Sequence, residues 1–123
     1  MIKRCCIGVL AALALSLNAM AASEKDLAHA RALDCFDIAA DYFVRNTSEA
    51  ADLIVPAVLA RCKKEVAEWA HLLAIEINQT QNIMIETSLE ETEAQVTEQF
   101  DRTLPPKVLI AVVEARARVG VAN

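Results

Sequence analysis

Residues 35–62 read CFDIAADYFVRNTSEAADLIVPAVLARC. Two apolar segments flank one strongly polar patch, Arg45-Asn46-Thr47-Ser48-Glu49, and a cysteine stands at each end. A turn at the midpoint, Ser48 and Glu49, would bring Cys35 and Cys62 to matching heights on two antiparallel helices. Asn46 suits a helix C-terminus, because it tolerates left-handed backbone. Thr47 or Ser48 suits the next N-cap, with Glu49 and Asp52 in the first turn to meet the helix dipole. The stretch predicts a helical hairpin stapled by a Cys35–Cys62 disulfide.

Both cysteines fall on apolar rows. Before the turn, Leu27, Ala28, Ala32, Cys35, Ile38, Ala39 and Tyr42 recur at helical spacing, and Leu33, Phe36, Ala40 and Phe43 widen the face. Asp34, Asp37, Asp41 and Arg45 form the opposite, wet stripe. After the turn, Cys62 belongs to the row Val55, Val58, Cys62, Val66, Trp69, Leu73. Closing a loop of about 28 residues stabilises a fold by about 3.6 kcal/mol in the chain-entropy treatment. The expectation is a permanent structural staple and not a redox pair, since redox cysteines are usually close in sequence.

The N-terminus reads as an export signal. Lys3 and Arg4 precede an apolar run from Ile7 to Leu17, and Ala19-Met20-Ala21 supplies small residues for cleavage after Ala21. Residues 1–21 are expected to be a cleaved signal peptide of bacterial type, and 22–123 a single all-helical domain. Cys5 and Cys6 precede the apolar run and would leave with it. Two cysteines then remain, an even count that fits one disulfide in an oxidising compartment. Loss of Lys3 and Arg4 takes the net charge from −5 to −7. That charge argues against nucleic acid or an anionic membrane surface as partner. No stretch after the signal is long and apolar enough to span a bilayer.

In chain order, Ser23-Glu24-Lys25-Asp26 resembles a capping box that opens the first helix, which should end near Arg45. The second should begin near Ser48, with a kink or restart at Pro56. The apolar stripe that continues from Cys62 shifts phase after residue 84. Thr87-Ser88-Leu89-Glu90-Glu91 offers overlapping capping boxes at that shift, so a break is expected near Thr87, with Asn78 to Asn82 the lesser alternative. A third helix should run over 88–102 and carry the acidic side chains Glu90, Glu91, Glu93, Glu98 and Asp101. Leu104-Pro105-Pro106 should punctuate it. Residues 107–119 then read as a last helix packing Leu109, Val112 and Val113 onto the hairpin. Arg116 and Arg118 lie near its negative end and Gly120 is its stop. The alternative for 107–119 is a strand through which the chain dimerises.

Catalytic signatures are missing. Gly120 is the one glycine after residue 21, which leaves no phosphate-cradling loop or nucleophile elbow. His29 and His71 belong to no zinc-ligand spacing. His71 near Glu68 is the sole acid–base candidate. Trp69, Tyr42, Phe36 and Phe43 could line a groove but sit at core spacing beside the staple. The Asn46-Thr47-Ser48 and Asn78-Gln79-Thr80 sequons are read as chance matches. The expectation is a non-enzymatic protein without cofactor or metal. It would be an interaction or structural protein of the bacterial envelope, binding another envelope protein or itself. The alternatives are a periplasmic acid-stress chaperone and, last, an enzyme. In size, helicity and cysteine count the plan is similar to that of small bacterial periplasmic helical proteins held by one disulfide, among them the acid-stress chaperones. That likeness carries no residue roles.

Overall fold

A computed structural model describes residues 23–80 and 88–120. These form four helices and no strand: α1 (Glu24–Asn46), α2 (Ala51–Arg61), α3 (Lys63–Thr80) and α4 (Leu89–Val119). Residues 1–21, where an export signal is expected, and Thr87, where a break is expected, lie outside the described residues. No described helix is long and apolar enough to cross a membrane.

Local chemistry sets most of the ends. Ser23 caps α1, its side chain accepting from the Asp26 N–H at 3.2 Å. At the other end the Asn46 side-chain amide donates to the Tyr42 carbonyl at 2.7 Å, and the chain leaves through an extended Thr47. The left-handed exit expected at Asn46 is not used, because its side chain takes up a last-turn carbonyl instead. Helix α2 starts later than Thr47 or Ser48 would place it, with Ala50 as an N-cap that offers no side-chain bond. Thr47 Oγ1 instead accepts from the Glu49 N–H inside the loop.

Pro56 neither breaks nor restarts α2, which runs through it. The interruption falls at Cys62, whose backbone (φ −96°, ψ 12°) sits between the helical and extended regions. The hydrogen-bond ladder still crosses it, from Cys62 N–H to Val58 O and from Val66 N–H to Cys62 O, each at 3.0 Å.

Helix α4 corrects the expected punctuation at Pro105-Pro106. Ser88 caps it, accepting from the Glu91 N–H at 3.2 Å, and it continues unbroken to the left-handed Gly120 at φ 80°. Each proline removes one backbone bond and costs about 3 kcal/mol in a helix interior. The carbonyls they orphan belong to Asp101 and Arg102, both exposed and open to water. On the buried side, Phe100, Leu104, Val108 and Val112 make one continuous row through the prolines. Burying side chains of that size contributes about 1.5–3 kcal/mol each, so the row outweighs the breakers.

The strand alternative for 107–119 is thereby excluded, and the expected packing is revised. Val108, Ala111, Val112 and Ala115 are buried, whereas Leu109 and Val113 are 38% exposed. The unbroken helix carries the phase set by Phe100 and Leu104 into its second half. A similar rotation applies to α1. Its core row is Ala28, Ala32, Phe36, Ala39, Ala40 and Val44, with Leu27, Ile38 and Tyr42 outside. That is roughly a quarter turn from the face centred on Cys35.

The disulfide joins Cys35 to Cys62, with Cα atoms 5.9 Å apart. Cys62 is fully buried, and Cys35 is half-buried against the same core. Further contacts from α1 to α3 step in opposite directions along the two helices. Arg31 meets Glu68 at 2.8 Å, the His29 ring stacks on Trp69, and Lys25 meets Glu76 at 2.8 Å. Helix α4 packs against α1, α2 and α3.

Candidate functional site

Aromatic side chains from three helices meet at Trp69. The His29 ring of α1 stacks on the indole at 4.3 Å between centroids, with planes 20° apart. Phe100 of α4 lies at 4.3 Å, tilted by 36°. Trp69 and Phe100 are buried and His29 half-buried, so the edge of this stack lies near solvent. Trp69 and Phe36 are core residues, as their spacing predicts. Tyr42 is not: it is 47% exposed, and the Arg61 guanidinium sits 4.4 Å above its ring. Nothing in the sequence singled out His29, because its partner is 40 positions away on another helix.

Beside the stack, a groove of about 400 Å³ runs between the α2–α3 junction and the middle of α4. Val66, Ala67 and Ala70 line one side, and Phe100, Leu104 and Pro105 the other. Its origin is the contrast between small side chains on α3 and large ones on α4. Charged groups stand around it: Lys63 on one helix, Glu93 and Asp101 on the other. A groove of this kind suits an apolar side chain offered by a partner, with its flanking charges set at the rim.

His71 does not pair with Glu68. Its Nδ1 lies 3.0 Å from Glu93 Oε2 across the α3–α4 contact, while Glu68 accepts from Arg31 at 2.8 Å. On one helix His71 and Glu68 are three residues apart, but α1 and α4 offer each of them a different partner. Both members of the His71–Glu93 pair are well exposed, at 48% and 39% of their side chains. The pair bridges two helices in contact with water and borders the groove through Glu93.

Two titratable groups at the start of α1 are displaced. A hydrogen bond from the Ser23 side chain holds the Asp26 carboxyl below its usual 3.8. A hydrogen bond to Glu76 raises the Lys25 ammonium above 10.5. Three further acidic side chains of α4 serve locally. Glu98 pairs with Arg102 at 3.2 Å, and Glu90 and Glu91 occupy the first turn. Among the described residues no group of three or more His, Cys, Asp or Glu side chains could hold a metal ion.

No protein-family model matches the chain, and no curated protein and no solved structure matches it.

Proposed function

We propose that this chain is an exported interaction protein of the bacterial envelope, held in one binding-competent shape by the Cys35–Cys62 staple. In this reading residues 22–123 act as one domain in an oxidising compartment, with α1 and α3 antiparallel. The groove between the α2–α3 junction and Phe100, Leu104 and Pro105 carries the reading. Its occupant is an apolar side chain of another envelope protein, seated between Lys63 and the carboxylates of Glu93 and Asp101. The disulfide sits at the junction that forms one wall, so the staple and the groove are mechanically linked.

The test is capture from the cell envelope with the tagged mature chain, beside Ala67→Arg and Cys35→Ser/Cys62→Ser variants. Ala67 is exposed, so arginine there fills the groove without disturbing the core. A stoichiometric partner held by the parent and lost with Ala67→Arg supports the reading. A partner held equally by both variants overturns it.

One observation favours the acid-stress chaperone as a second reading. Three helix-bridging pairs, Lys25–Glu76, Arg31–Glu68 and His71–Glu93, each depend on a glutamate. The contacts between helices thus lean on carboxylates, and the condition that concerns this reading is acid between about pH 2 and 4, where model carboxyls protonate. Exposed pairs contribute little individually, so the helices would loosen progressively. Suppression of client aggregation in that range supports this reading, and its absence there removes it.

A further inference from the structure

The second half of α4 is apolar on two sides. One side fills the core through Val108, Ala111, Val112 and Ala115. On the outer side Pro106, Ile110, Val113 and Ala117 are all exposed, Ile110 at 59%. They are spaced four, three and four residues apart, which is the spacing of a coiled-coil seam. Leu109 widens this row from its edge.

Charge decides what covers the seam. Lys107 and Glu114 are seven residues apart, so both stand on one flank of it. Both are exposed, and neither forms an ion pair among the described residues. When two copies of one helix pair antiparallel, each flank faces its own counterpart across a twofold axis. Lys107 of each copy then meets Glu114 of the other, and the contact occurs twice. Parallel pairing would set this flank against the other one, which holds Leu109 and the buried Arg116, and would leave both charges unmatched.

We propose that the protein forms a twofold dimer through antiparallel pairing of α4, with Ile110 close to the axis. This names one partner within the interaction reading above and uses none of the residues that line the groove. A four-layer seam lies at the small end of specific interfaces, so the dimer forms and dissociates with concentration.

The test is sedimentation equilibrium of the disulfide-bonded chain over a wide concentration range, with thermal melts to confirm that each variant is folded. The parent should move from monomer to dimer as concentration rises, and Ile110→Lys should remain monomeric. Lys107→Glu alone and Glu114→Lys alone should each weaken dimerisation by about tenfold or more, since each sets like charges together. Mixing those two variants should restore it, because both contacts across the axis then join opposite charges. A parent that stays monomeric overturns the proposal. So does a dimer that Ile110→Lys leaves intact, or a mixture no tighter than its components. Envelope-partner capture by the Ile110→Lys monomer would uphold the groove reading independently, so the two readings can fail separately.

Discussion

The guanidinium of Arg116, near the end of α4, donates to the main-chain carbonyl of Glu49, in the loop between α1 and α2. The two residues are 67 positions apart, and the contact ties the last turns of the chain to its first connection. Arg116 is 9% exposed, and its Nε has no partner among the described residues. The side chain therefore combines a charged hydrogen bond with a packed aliphatic stem.

Removing that bond should be measurable in urea. Hydrogen bonds made by charged groups contribute about 1.5–3 kcal/mol. Arg116→Met keeps most of the stem and should lose roughly that amount. Arg116→Ala loses packing as well and should fall further. Equal midpoints for Arg116→Met and the parent would show that the Glu49 contact contributes nothing to stability.

The staple should stabilise the folded chain by about 3.6 kcal/mol, in line with its loop length. Denaturant unfolding of the Cys35→Ser/Cys62→Ser protein, or of the parent under a strong reductant, measures it. Because Cys62 is fully buried within the shared core, the loss should lower the midpoint of the entire helical signal. A separate early transition for α2 alone would contradict that coupling.

The prolines of α4 are tolerated but not stabilising. Pro105→Ala restores an N–H that can reach the Asp101 carbonyl, and it raises helix propensity. Part of the gain is offset because proline also restricts the unfolded chain. The expected result is a net stabilisation of about 1–2 kcal/mol, read as a higher melting temperature. A lower melting temperature would indicate that α4 needs a bend at this point in order to pack.

The start of α1 should show two pH dependences of opposite sense. Asp26 titrates below its usual 3.8, so its contribution is present above that value and is lost as pH falls through the lowered one. Lys25 titrates above 10.5, so its contribution is present below that value and is lost as pH rises through the raised one. NMR titration should find Asp26 moving back up in Ser23→Ala and Lys25 moving back down in Glu76→Gln. Unchanged values would show that the Ser23 and Glu76 hydrogen bonds do not hold in solution.

Sequence alone determined the features that depend on neighbours along the chain. Ser23 and Ser88 cap their helices because a hydroxyl at that position reaches an N–H three residues on. Gly120 ends α4 because a left-handed residue is needed there. The all-helical class, and Cys35 with Cys62 as the staple, followed from apolar spacing that requires only one helix at a time. Tertiary structure decided everything that required knowing which surfaces meet. Pro105 and Pro106 read as a stop, yet the row from Phe100 to Val112 buries enough surface on one face to carry the helix through them. Which way α1 turns was set by α3 and α4 packing against it, because a helix with apolar residues around much of its girth fits several phases equally well. The site is the least legible part. His71 stands three residues from Glu68 in sequence but pairs with Glu93, and Trp69 finds His29 and Phe100. Side chains choose partners by distance in space, and helix packing brings together residues that the chain holds far apart.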